Sequence, residues 1–188
     1  MRMPQDSIKV DFKVKSEEAI DKAVKLFTQG VSKGLDETAI FILARSHDFI
    51  EEKDIYDTGA LTIHSGVDLA KPLTKYVYYE EVYAPFQEFG TGPSAEDPQD
   101  MYWPKFQPIL DWVIRKHIIF TDHKTGKPMT AEQTARLIVF HIHAHGLAPR
   151  PYFRPAINEG EAKKEEYCKK AIDKLMKEAK LLAGKPAK

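Results

Sequence analysis

Tyr83-Ala84-Pro85-Phe86-Gln87-Glu88-Phe89-Gly90-Thr91-Gly92 joins an aromatic, half-polar ribbon to a turn that glycine makes most easily. Proline has no N–H to give a β-ladder, so Pro85 predicts that the aromatic run before it is an edge strand or stops there. Gly90 and Gly92 flank Thr91 and permit positive φ, which lets the chain reverse or lets another backbone come close. Glu88, between Phe86 and Phe89, has two readings. It is either a solvated carboxylate on a turn, or a fixed acceptor that caps nearby N–H groups or meets a neighbouring subunit.

Outward from this stretch, the chain before it reads as a hairpin. Leu61, Ile63, Ser65, Val67 and Leu69 alternate with Thr62, His64, Gly66 and Asp68, a period of two that predicts a strand after the turn-forming Asp57-Thr58-Gly59. Pro72 and Thr74 interrupt it, and the run from Lys75 to Tyr83, rich in tyrosine and valine, predicts a second strand paired with the first. Base stacking on Tyr76, Tyr78, Tyr79 and Tyr83 would call for interleaved cations, and only Lys75 is close. Sheet packing or a partner surface suits these tyrosines better.

Earlier still, Ile20, Val24, Phe27, Val31, Leu35, Ile42 and Phe49 form one apolar stripe at helical spacing. Ser16 is the candidate N-cap, with Glu17, Glu18 and Asp21 where the helix dipole favours negative charge. The predicted helix runs from about residue 17 to about residue 52, roughly 50 Å at 1.5 Å per residue. Gly30 and Gly34 are candidate bend or break points. A stripe this long either packs as one kinked core helix or rests partly on another subunit.

After the opening stretch, residues 93–104 are polar and turn-rich, with Glu96, Asp97 and Asp100, and read as an exposed loop. Ile109, Leu110, Trp112, Val113 and Ile118 then have helical spacing. Thr130 with Gln133 three residues on has capping-box form, Leu137, Ile138 and Ile142 continue that helix, and Gly146 ends it. Prolines 149, 151 and 155 stiffen an extended segment carrying Arg150, Tyr152, Phe153 and Arg154, a low-entropy contact element. A last helix is predicted from Ala156, with Tyr167, Ala171, Ile172, Leu175, Ala179 and Leu182 on its apolar face and a frayed tail at residues 184–188.

Composition narrows the function classes. In 188 residues, 28 Lys and Arg balance 28 Asp and Glu, without the basic excess of a general nucleic-acid binder. The lone Cys168 forbids an internal disulfide and suits a reducing compartment. Residues 1–10 lack a signal-peptide core, and the apolar runs are too short to cross a bilayer. His141, His143 and His145 lie close together, and the i, i+4 pair shares a helix face, yet no cysteine pair or Glu-x-x-His pattern supplies further zinc ligands. There is no Gly-x-Ser-x-Gly elbow or phosphate-cradling loop, and Cys168 has no adjacent base. The expectation is no catalytic residues, no metal and no cofactor, with a metal-dependent enzyme or binder on the three histidines as the alternative.

Taken in order, Asp57-Thr58-Gly59-x-Leu61, then Tyr83-Ala84-x-x-x-Glu88-Phe89-Gly90-Thr91-Gly92, then Pro149-Arg150-Pro151-Tyr152-Phe153-Arg154-Pro155-Ala156, the chain resembles the tail-component family of long-tailed bacteriophages, the neck or tail-completion proteins. Thr62 stands where that family tends to have a basic residue, and His64 where it has serine. The resemblance implies an α+β fold in a single domain over residues 1–188: a long N-terminal helix packed on a small antiparallel sheet, an inserted helical pair at about residues 93–146, and a C-terminal helix. It implies a structural virion protein without enzymatic activity, assembled in the host cytoplasm as a homo-oligomeric ring, hexameric by this analogy, at the head-to-tail junction. Its partners would be head-completion proteins and tail terminator or tube proteins. DNA would pass through the lumen without sequence-specific binding, as a charge-balanced surface allows. Thr58, Gly59, Leu61, Tyr83, Ala84, Glu88, Phe89, Gly90, Thr91, Gly92, Pro149, Arg150, Pro151, Tyr152, Phe153, Arg154 and Pro155 are the candidate interaction residues. Arg150 or Arg154 is expected to pair with acidic residues of an adjacent protein.

Overall fold

The structure, a computed structural model, describes residues 17–55, 57–96 and 103–183. Ser16, Asp97, Asp100, the Leu182 side chain and the segments at both ends lie outside that description. The architecture is α+β, in the order α1 (Glu17–Glu52), α2 (Ala60–Ile63), β1 (Ser65–Lys71), β2 (Thr74–Tyr79), α3 (Ala84–Phe89), a 3-10 turn at Gly92–Ser94, α4 (Phe106–Arg115), α5 (Ala131–His145) and α6 (Phe153–Ala183). β1 and β2 form one two-stranded antiparallel hairpin. No helix among the described residues is long and apolar enough to cross a membrane.

The chain divides into two compact units built from non-contiguous segments: Met1–Ala39, Asp68–Tyr76 and Glu161–Lys188 in the first, Ile40–Val67 and Val77–Gly160 in the second. In the first unit, α1 runs through Gly30 and Gly34 without a break. These glycines are places of close approach. A Cβ on Gly30 would stand 2.6 Å from Ile172 Cγ1, and one on Gly34 would stand 2.4 Å from the Cα of Cys168. Four residues forward on α1 therefore meet four residues back on α6, an antiparallel pairing with no side chain between the backbones. The hairpin tip joins α1 through Lys75, whose Nζ lies 2.6 Å from Asp36 Oδ1 and donates to the Leu69 carbonyl.

The second unit holds the buried cluster of Ile50, Leu61, Ala84 and Tyr152, with Phe49, Ile55, Tyr79 and Phe153 against it. Tyr79 meets Tyr152 and Phe153 edge-on, at centroid distances of 5.1 and 5.6 Å, and its hydroxyl is 2.5 Å from Ser46 Oγ. Burial pushes the Tyr79 phenol up to about 12. Gly160 lies against the Ile42 side chain, and Arg45 Nε donates to Glu159 at 2.9 Å.

Several predicted elements are corrected. The aromatic run is not carried as strand to Pro85: β2 ends at Tyr79, and residues 84–89 are the helix α3. Pro85 falls in its first turn, where a missing N–H costs as little as at a sheet edge. The alternation from Leu61 is strand only from Ser65. Residues 60–63 form a helical turn started by Gly59 at φ 80°, with Leu61 buried and Ile63 outside. The last helix begins at Phe153, not Ala156, because Pro155 fits the first turn. The Thr130–Gln133 capping box and the Gly146 stop stand as read.

Replacing Gly34 by alanine tests the helix approach. An exposed Gly→Ala change in a helix gains about 1 kcal/mol, but overpacking against a backbone atom costs about 1–3 kcal/mol or more. At 2.4 Å from a backbone atom the upper end of that cost applies, about 3 kcal/mol, so the expected net result is a loss of about 2 kcal/mol in urea unfolding followed by far-UV circular dichroism.

Candidate functional site

The opening stretch and the proline segment meet in the second unit, chiefly through one carboxylate. Helix α3 presents Ala84 and Glu88 on its inward face, four residues apart, while Phe89 faces out. The first N–H groups of α6 have no partner inside their own helix. Glu88 supplies it: Oε2 accepts from the Tyr152 and Phe153 N–H groups at 2.8 and 2.9 Å, and Oε1 accepts from the Arg154 N–H at 3.1 Å. Arg154 Nε adds a fourth bond to Oε1 at 2.8 Å. The rest of its guanidinium grips Glu96, with Nη1 2.6 Å from Oε2, and lies 4.9 Å from the Phe89 ring centroid.

Glu88 is 4% exposed, so the reading of a solvated turn acid is set aside in favour of the capping acceptor. Burial alone would raise its carboxyl pKa. The Phe153 N–H, the Arg154 side chain and the Tyr152 and Arg154 N–H groups outweigh that and hold it below the usual value. Arg154 is driven further up its already high range by Glu96 and Glu88. A carboxylate with four donors in place, ionised at neutral pH and facing a helix N-terminus, holds backbone and is poorly placed to abstract a proton.

Gly90-Thr91 and Gly146-Leu147 form the second fastening. Thr91 N–H donates to the Leu147 carbonyl at 2.9 Å, and Leu147 N–H returns a bond to the Thr91 carbonyl at 3.2 Å. Gly90 has φ 78° and Gly146 φ 74°, a region that disfavours side chains, and each is pressed against the opposite backbone. A Cβ on Gly146 would lie 1.9 Å from the Thr91 carbonyl oxygen, and one on Gly90 would lie 2.5 Å from that of Leu147. Gly92, at φ 56°, begins the 3-10 turn, and Ser94 Oγ donates to the His145 carbonyl at 2.5 Å.

The proline segment is also tied to the end of α1. Arg150 N–H donates to the Gln87 carbonyl at 2.7 Å, its Nη2 donates to the Lys53 carbonyl at 2.9 Å, and Lys53 Nζ returns a bond to the Pro151 carbonyl. Five of the motif residues, Thr58, Gly59, Leu61, Tyr83 and Arg150, line a cavity of about 600 Å³ in this unit, with Trp112 and His141. Arg115 closes one side onto Asp57, whose carboxyl it holds below the usual range.

Most of the candidate residues fall into two groups, apart from Ala84 and Phe153, which belong to or pack on the buried cluster, and Phe89, Gly92 and the three prolines. Glu88, Gly90, Thr91, Tyr152 and Arg154 make the fastening, while Thr58, Gly59, Leu61, Tyr83 and Arg150 border the cavity. The expectation that Arg154 reaches an adjacent protein meets a guanidinium already shared between Glu88 and Glu96 of this chain. His141 and His145 are neighbours, ring centroids 4.6 Å apart, but His143 turns away to Trp103 at 3.9 Å. Among the described residues no three His, Cys, Asp or Glu side chains gather as a metal would need. Lys53 and Arg115 were not singled out from sequence, and Asp57 and Glu96 were read only as turn and loop residues; no spacing signal could have shown their ion pairs, since Glu96 and Arg154 are 58 residues apart.

Comparison of the chain with protein-family models, with curated proteins and with solved structures gives no match.

Glu88→Gln keeps an acceptor but loses the charge, and is expected to cost about 2 kcal/mol; Glu88→Ala leaves buried donors orphaned and costs about 3–4 kcal/mol. Both tryptophans, Trp103 and Trp112, belong to the second unit, so their fluorescence in urea reports this loss. Because the folded pKa is depressed, Glu88's contribution is full above the ordinary carboxyl value of 4.5 and is lost as pH falls through the folded value. Stability of the native chain is therefore expected to drop below about pH 4.5 more steeply than that of Glu88→Gln.

Proposed function

We propose that this chain is a structural subunit of a phage connector, a ring at the head-to-tail junction through which DNA passes, and that it carries no catalytic activity. The observation that carries the reading is how the motif residues are spent. Glu88, Gly90, Thr91 and Arg154 are consumed in fixing α3, the 92–94 turn and the start of α6, while large apolar side chains are left on the outside. Among the described residues, 17 large hydrophobics are exposed, and five of the 11 buried apolar residues are alanines. A chain that leaves this many large apolar side chains in water, while nearly half of its buried apolar residues are small, is suited to burying the exposed ones against other proteins.

Arg150 is the motif cation best placed for such a partner, since only one of its guanidinium bonds is to a carbonyl of this chain and it borders the cavity. Arg154 is the poorer choice, because reversing it would undo the Glu88 fastening.

Gold-labelled antibody against the chain, applied to the phage that encodes it, is expected to mark the head-to-tail junction. Label confined to the capsid, or purified virions without the chain, rejects the connector reading. In the same phage, Arg150→Glu is expected to yield filled heads and free tails in place of joined particles; joined particles at native yield would remove Arg150 from the contact.

A further inference from the structure

The second unit carries two unlike apolar features on its surface. One is a projection. Val82 is the most exposed large hydrophobic of the described residues at 84%, and Ile63 is exposed at 69%. The two are brought into one neighbourhood because His64 Nδ1 lies 2.5 Å from Glu81 Oε1 and Glu80 N–H donates to the His64 carbonyl at 2.9 Å. Glu80 and Glu81 therefore make the surroundings of this projection acidic.

The other is a groove on α5. Phe120, Leu137, Phe140 and Ala144 line it beside His141 and His145, with a volume of about 480 Å³, and Phe140 is 62% exposed. Its wall is held in place: Phe120 N–H donates to Thr134 Oγ1, and the Phe120 carbonyl accepts from Met129 N–H at 2.8 Å. At Leu137 the groove runs into a shallow hollow that Lys127 and Arg136 line. Asp122, in the same hollow, spends its Oδ1 on the Lys124 and Thr125 N–H groups of its own turn.

We infer that the occupant of the α5 groove is a second copy of this chain, which inserts Val82 and Ile63 with Glu80 and Glu81 facing Lys127 and Arg136. The apolar parts match in kind, and the charges around them are opposite in sign, which favours this pairing over either feature meeting itself. Two different patches on one chain make a heterologous, head-to-tail contact, and such contacts propagate into closed rings or open filaments. This inference rests on the connector reading and names the surfaces by which its subunits would join.

The test is sedimentation of purified chain, native and in two variants. Val82→Lys puts a cation toward Lys127 and Arg136, and Phe140→Ser strips the groove of its more exposed ring without adding a charge that the introduced lysine could pair with; both residues are exposed, and unchanged far-UV circular dichroism confirms folding. Native chain is expected to associate beyond 21.5 kDa as its concentration rises, with each variant weakening that association about 30-fold or more. Mixed together, the two variants are expected to form a one-to-one dimer and no larger species, because each retains the half that the other has lost. The inference is overturned if native chain stays single at all concentrations, if either variant assembles like native chain, or if the mixture stays single. Label at the head-to-tail junction alongside any of these results would leave the connector reading standing with a different subunit contact.

Discussion

The second unit depends on one ionised carboxylate placed at the start of a long helix. Glu88 answers three backbone N–H groups at the entry to α6, those of Tyr152, Phe153 and Arg154, and one guanidinium nitrogen. Burying a charge is costly unless hydrogen bonds replace the lost water. Here they do, and the helix dipole adds to them. Through that one group the position of α3 and the entry of α6 become a single constraint. The aromatic cluster of Tyr79, Tyr152 and Phe153 then packs on a fixed frame, and the glycine pair at 90 and 146 can bring two backbones into contact beside it.

The first unit solves a different problem by removing side chains. Gly30 and Gly34 cost helix propensity in α1, about 1 kcal/mol each. In return the α6 backbone around Cys168 and Ile172 comes close enough that a Cβ would not fit. Glycine in a helix interior reads from sequence as a weak point. Where another helix crosses at such short range it is a requirement of packing.

The economy of the buried core bears on the connector proposal. An apolar surface left in water costs about 25 cal/mol for each Å² that could be covered. Proteins that keep many large side chains outside either bind through them or aggregate. Opposite charge around an apolar projection and an apolar groove gives such a surface direction, so that assembly is specific where plain hydrophobicity would not be. This distribution of apolar residues is what a subunit that buries its surface against other proteins would need.

What the sequence determined by itself was everything set by neighbours within a few turns. The extent of α1, the Thr130–Gln133 capping box, the Gly146 stop and the hairpin follow from periodicity, capping chemistry and turn residues. What only the tertiary structure decided was each choice with two locally acceptable answers. Pro85 suits a strand edge or a helix first turn, and the need to aim Glu88 at α6 selects the helix. Leu61 and Ile63 suit a strand or a helical turn, and burial of Leu61 beside Ile50 selects the turn. Glu88 itself reads as solvent-facing or capping, and the donors that settle the matter lie 64 to 66 residues away, beyond the reach of any local pattern.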